Sequence, residues 1–443
     1  MKNLKKIIFL LPALLLSSCN FKYNYVLAGM PKGGGGGGGG GEADEQEDYS
    51  DEGTYDIKVW VDDKIVDLTR TQIQSFAAES GGHYTINARV EPQSEGTAAS
   101  QMLQDVQNGA DIFVFAQDQL SRLKVAGAVS KLTDKYASFI KNNNSEDSVK
   151  AATLGNNIYA FPVTSDNGYF LYYDKRIIPD ADANDMTKIL ADCKSAGKKI
   201  NFEARNNGFY AASYFLATEN GKENAEPLCK SDWTLDEETG KFTSYDDTFS
   251  GSNGVIAMKG LAELDDTSLV AGNSLASKLG DTAAAVVSGI WEYEVALNRL
   301  KENLGCAELP NFKVGDKSYH LGSFDGYKIM GVKPQVDAKK ASVCRKLARY
   351  LTSEACQTQR FKQVAWGPTN IKSSQRTDVA NHPGLAALAK QHQYATQQGQ
   401  CPGAWFVALS TTAKTVKKNA TDEQIQAILN AYKNGLPELL DED

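Results

Sequence analysis

The sequence predicts an α/β fold, and three observations carry that prediction. Apolar and polar residues alternate at Ile57, Val59 and Val61, as in a strand with one buried face. The stretch Asp111-Ile-Phe-Val-Phe115 is instead apolar without interruption, as in a strand covered by helices on both faces. Between and after them, helical spacing and strand-like runs take turns along the chain, the order in which α/β domains are built.

Taken from the N-terminus, the first element is an export signal. Lys2, Lys5 and Lys6 precede the apolar run Ile7 to Leu16, which is too short to span a bilayer, and small residues follow it. Leu16-Ser17-Ser18-Cys19 resembles a bacterial lipobox, which implies a signal peptide over 1–18 and a lipidated Cys19 as the mature N-terminus. Two or more acyl chains would then hold the protein on the lipid bilayer. Residues 19–53 read as a spacer, with nine glycines at Gly33 to Gly41 followed by an acidic run from Glu42 to Glu52. Glycine-rich chain is flexible and charged chain repels itself. A phosphate loop would need a strand before it and Lys-Ser/Thr after it, and neither is there.

The chain after residue 53 is long enough for two or three ordinary domains with full cores. A helix holding Ile73, Phe76 and Ala77 on one face follows the first strand and ends at Gly81-Gly82. Val90 lies in a second strand, and a helix around Ala98 to Val106 leads into Asp111–Phe115. Further strands are predicted at Ile158 to Phe161, Phe170 to Tyr173 and Lys328 to Val332. Val343, Leu347, Tyr350 and Leu351 mark one late helix. Ile425, Ile428, Leu429 and Tyr432 mark the last, with Thr421 and Gln424 as its capping box and Gly435 at its end.

Composition excludes several functions. The net charge is −8, and no basic block follows the signal, so nucleic acid is not an expected partner. Beyond Cys19 there are six cysteines, none in a Cys-x-x-Cys pair, so zinc and dithiol motifs are absent and no pairing is chosen. His83, His320, His382 and His392 are scattered, with no His-Glu-x-x-His, no nucleophile elbow and no Walker loop. No metal, cofactor or catalytic residue is expected. The rival enzyme reading is a surface glycoside hydrolase, using two of Asp118, Asp166, Glu203 and Glu292. A sugar-sensing or adhesive lipoprotein of the same fold is a third.

Six segments resemble a known family. They are Lys58-Val-Trp-Val61, Gly109 to Asp118, Ile158-Tyr-Ala-Phe-Pro162 with Tyr172-Tyr-Asp-Lys175, Ala284 to Trp291, Trp366-Gly-Pro-Thr369 and Ala404-Trp-Phe406. In that order they look like the extracellular solute-binding proteins of bacterial ABC sugar importers, closest to the maltose/maltodextrin group. The resemblance implies a two-lobed, periplasmic-binding-protein-like fold with a hinge and a ligand cleft between the lobes. Lobe I would be 54–164 with 322–369, and lobe II 165–321 with 370–443. The chain would cross near Thr164, Gly322 to Gly326 and Asn370.

The implied partners are an oligosaccharide and an ABC permease, met by a monomer facing outside the cell membrane. A sugar offers apolar faces and a rim of hydroxyls, so its site needs flat rings and polar side chains. The family's platforms map to Phe115, Trp291 and Trp405, with Tyr293 beside them. The polar candidates are Asp118, Gln119, Asp166 and Asn167, followed by Glu95, Glu203, Arg205 and Tyr210. Maltodextrin binders of the family usually carry tryptophan where Phe115 stands and arginine where Gln119 stands.

Overall fold

The computed structural model describes residues 48–443 except 222–225, 237–238, 266, 271–274 and 442–443. The signal peptide, Cys19 and the glycine tract lie outside the described residues. One compact unit runs from Tyr49 to Asp443.

Two sheets organise it. The first has five strands in the order Tyr84–Pro92, Gly53–Val61, Ile112–Ala116, Lys328–Val332 and Ala160–Thr164. Its first three strands are parallel, and Lys328–Val332 enters from far along the sequence, antiparallel to both its neighbours. The predicted helix over Ile73 to Ala77 is Val66–Glu79, and Gly81 and Gly82 after it both take positive φ, which favours glycine. The second sheet has four strands in the order Leu304–Ala307, Phe170–Asp174, Ala283–Ser288 and Lys199–Asn201. Phe170–Asp174 is buried along its whole length, so its residues divide between two cores. Phe170 and Tyr172 belong to one, Leu171 and Tyr173 to the other. That is why the run shows no alternation in sequence.

The folded unit begins earlier than the sequence suggests. Asp51, read as part of the acidic spacer, is buried against Lys346, whose Nζ lies 2.8 Å from its carboxylate. Tyr84 also donates to it, at 2.6 Å. A carboxylate so paired can be buried where an unpaired one cannot. Residues 49–53 therefore belong to the fold.

The chain passes between the sheets through 165–169 and again through 321–327. These passages are joined side by side: Ser165 N–H donates to Gly367 at 2.9 Å, and Asn167 N–H to Gly326 at 3.1 Å. Strand Ser323–Asp325 pairs in parallel with Ala395–Gln397. The last helix, Asp422–Gly435, carries both halves of the expected capping box.

Candidate ligand cleft

The C-terminal ends of parallel strands are where open α/β sheets bind ligands. In the first sheet this edge holds Asp62 and Lys64, just after Gly53–Val61, and Lys328, which opens its own strand. Glu95 is the first residue of helix Glu95–Gln104, where the helix dipole favours an acid. From the second sheet, strand Ala283–Ser288 ends at Gly289, and Trp291 follows in a short turn. The Trp291 ring lies over Gly289 so closely that any Cβ there would strike it.

These groups converge on Lys328. Its side chain is only 6% exposed, and its ammonium stands 3.7 Å from Glu95 Oε1. It lies 4.1 Å from the centroid of Trp366 and 5.6 Å from that of Trp291, a cation between two indole faces. Burial would depress the ammonium's pKa, but Glu95, Asp166 and Asp62 outweigh it and hold the group above its ordinary value. Burial, with Glu95 nearby, pushes Asp62 up to about 6. Asp166 is also raised by burial, against the opposing pull of Lys328. One Asp166 oxygen accepts from Gly367 N–H at 2.7 Å. The other has no partner among the described residues, and neither has Trp366 Nε1. Across the gap between the sheets, Lys64 Nζ donates to the Trp291 carbonyl at 2.6 Å.

Not every predicted site residue lies there. Phe115 is a correction: it is fully buried in the strand Ile112–Ala116, opposite Ile329 and against Phe113, so it offers no platform. The run that predicts a doubly covered strand leaves no free face for it. Trp405 is 3% exposed, and its Nε1 donates to Tyr432, which in turn donates to Asp247. It is a core ring whose edge reaches a cavity beside helix Gly403–Thr415. Arg205 is a second correction, since it donates to the carbonyls of Leu264, Lys414 and Val416 and ties loops together.

The remaining candidates are spread around the cleft. Tyr293 is buried against His382. Tyr210 sits on helix Gly208–Phe215 in a ring cluster with Tyr169 and Phe202. Glu203 is half-buried, and burial raises its pKa. Asp118 is buried and raised, accepting from Gln119, which accepts in turn from Arg122. Asn167 reaches Gln398 at 3.4 Å. Asp62, Lys64, Lys328 and Trp366 are the residues that sequence reasoning misses. Lys328 reads as the polar edge of a strand, and only the sheet order brings it to Asp62 and Trp366.

A family profile described as bacterial extracellular solute-binding protein matches residues 71–387. No curated protein matches the sequence. Among solved structures, one determined with acarbose is 25% identical, with a TM-score of 0.73 over 88% of this chain and 100% of its own. The maltodextrin-binding protein MalE1 of L. casei BL23, without ligand, is 18% identical, with a TM-score of 0.71 over 88% and 100%. The GacH receptor of Streptomyces glaucescens, solved unliganded and with acarbose, is 15% identical, with a TM-score of 0.67 over 87% and 98%. The likeness to these last two is one of fold.

Proposed function

The chain belongs to the bacterial extracellular solute-binding proteins, and from that premise we propose that it captures an oligosaccharide, maltose or a maltodextrin, for an ABC permease. The observation that carries this reading is the convergence at Lys328. Two indole rings, several carboxylates and the Lys64 amine meet where the strand ends of the two sheets face each other. Rings suit the apolar faces of a sugar, and a mixed set of donors and acceptors suits its hydroxyls. The solved relatives named with acarbose or maltodextrin support the same class of ligand.

The mechanism is closure. Lobe I, 54–164 with 322–369 and starting in practice at Tyr49, supplies Asp62, Lys64, Glu95, Lys328 and Trp366. Lobe II, 165–321 with 370–443, supplies Trp291. A sugar touching both stabilises the closed arrangement because only there are all its contacts made. The hinge runs through 165–167, Gly326 and Gly367, whose backbones bond one another, with Asp166 bracing the third. The chain binds its sugar and does not cleave it. Cys19 tethers it by lipid to the outer face of the membrane, and the glycine and acidic tract lets a monomer reach the permease.

The test is titration calorimetry with maltose and longer maltodextrins on the parent and on Trp291→Ala, with recovery of intact sugar afterwards. Loss of the ring should weaken binding by several kcal/mol, the size of a binding hot spot. Equal affinity in parent and variant would refute the site, and shortened sugar would refute the receptor reading.

A further inference from the structure

A cavity of about 320 Å³ lies beside the passages of the chain between the two sheets. None of Asp62, Lys64, Glu95, Trp291, Lys328 and Trp366 lines it, so it is distinct from the sugar cleft. Its walls come from several parts of the chain. Asp147, on helix Glu146–Ala151, and Ser165 precede the first passage or open it. Leu385 and Leu388, on helix Pro383–Gln391, and His392 just after it come from near the C-terminus. The strand Ser323–Asp325 belongs to the second passage and completes the lining.

That strand carries the polar part of the site. Successive side chains of a strand point to opposite faces, so Ser323 and Asp325 share one. The Asp325 carboxylate stands 3.1 Å from His392 Nδ1. Ser323 is only 1% exposed, and its hydroxyl has no hydrogen-bond partner among the described residues. Buried hydroxyls are ordinarily bonded, so an open one on a cavity wall marks a place for a ligand's polar atom.

The rest of the lining selects a cation with an apolar body. Two carboxylates, Asp325 and Asp147, line the cavity, and no lysine or arginine among the described residues does. Lys150 meets Asp147 at 3.1 Å from outside the lining, in an exposed pair that solvent screens. Both acids act on Tyr327, another lining residue: burial first, then Asp325 and Asp147, hold its hydroxyl above the ordinary pKa. The one cation at hand is His392, whose imidazole is raised by its bond to Asp325. Its side chain is 60% exposed and can give way. Pro368, Val379, Leu385 and Leu388 supply apolar surface. An anion would meet two carboxylates, and a sugar would set its hydroxyls against those four side chains. The volume is at the small end of pockets that hold organic ligands.

We propose that this cavity is a second binding site, for a small organic ammonium ion. The charged nitrogen donates to Asp325 and to the Ser323 hydroxyl, taking the place of the His392 ring, and the apolar body packs on Leu385 and Leu388. The site does not depend on the oligosaccharide reading. The test is NMR of the histidine rings of the full-length protein at fixed pH, titrated with benzylamine and with its neutral and anionic matches, benzyl alcohol and benzoate. The chain has four histidines, and the signals missing from His392→Gln assign those of His392. Benzylamine should move the His392 signals with a Kd of about 1 mM, ordinary for a ligand of so few atoms. Benzyl alcohol and benzoate should leave them in place. Asp325→Asn should weaken benzylamine about tenfold, and the milder Ser323→Ala about threefold. Signals of His392 unmoved at about 10 mM benzylamine, an equal response to benzyl alcohol, or parent affinity in both variants would each overturn the site. Benzylamine bound in the sugar cleft instead would also leave the His392 signals still. None of these outcomes bears on the oligosaccharide reading, which the calorimetry above tests by itself.

Discussion

Replacing Lys328 by methionine tests the organisation of the cleft, because three acids, Glu95, Asp166 and Asp62, face its ammonium, with the buried Arg360 guanidinium drawn to the first two as well. Methionine keeps an unbranched chain of similar bulk, so the change is one of charge rather than volume. At 3.7 Å from Glu95, an effective dielectric of ~20 gives an attraction of about 4–5 kcal/mol. Contact with two indoles adds about 2 kcal/mol where water is excluded. Against this stands the cost of burying the ammonium, so the sum is not the net effect. Removing one partner of a buried pair typically costs about 3–5 kcal/mol, since the acids are left without compensation. That penalty depends on pH. Burial already holds Asp62 and Asp166 above their ordinary range with Lys328 present, and its removal raises them further. The folded variant then binds more protons than the unfolded chain from about pH 4 upward, so its stability falls as pH rises through that window. Urea denaturation of parent and variant at pH 5 and pH 8 reads this directly. The loss should be about 3–5 kcal/mol at pH 8 and clearly smaller at pH 5. A loss under about 1 kcal/mol, or the same loss at both pH values, would refute the idea that Lys328 compensates the acids.

Two further outcomes follow from other parts of the fold. His320 is buried, donates from Nδ1 to the Leu321 carbonyl and stacks on Tyr394, and burial pulls its pKa down to about 4. The unfolded chain takes up that proton near pH 6.5 and the fold does not, so stability falls as pH drops from 6.5 towards 4, by up to about 3 kcal/mol. His320→Gln should lack this slope, which paired melting curves across the window would measure as the difference from the parent. Gly208 opens its helix against the backbone of helix Gly403–Thr415, and a Cβ there would run into the Phe406 carbonyl. Backbone cannot turn aside as a side chain can. Gly208→Ala should therefore cost about 1–3 kcal/mol in denaturant unfolding.

The elements were legible in the sequence wherever a local pattern decides them. The alternation at Ile57 to Val61, the doubled glycines after the first helix and the Thr421 capping box each fix an element by neighbouring residues alone. The fold's order was not legible in that way. Lys328–Val332 enters the first sheet between strands that precede it by more than a hundred residues, and no local signal says so. The site inherits this difficulty. Trp291 was legible because a ring at the end of a buried strand must emerge somewhere. Phe115 was misread because the resemblance supplied a role that its own strand, covered on both faces, forbids. Lys328, Asp62 and Trp366 were illegible because each is ordinary in its own segment and becomes unusual only beside the others.

The same contacts bear on how the receptor remains responsive to sugar. A ligand shifts an equilibrium only by its differential affinity for the two states, so the lobes' own attraction must not already settle the matter. Among the polar contacts that bridge the lobes, those of Lys64 and of Gln400, which bonds Gln117 and Ser121, fit this requirement, whereas the Gln117 bond to the Gln398 carbonyl is buried. The Lys64 bond to the Trp291 carbonyl is exposed, and the Gln400 bonds are only partly buried. Hydrogen bonds of this kind contribute about 0.5–1.5 kcal/mol each. The deeply buried charges, by contrast, lie mainly within lobe I, where Lys328 meets Glu95 and Asp62. Strong electrostatics thus hold the wall of the cleft in shape, and weak contacts span its mouth. On the reading proposed above, that division leaves the ligand's own contacts in the cleft to decide closure.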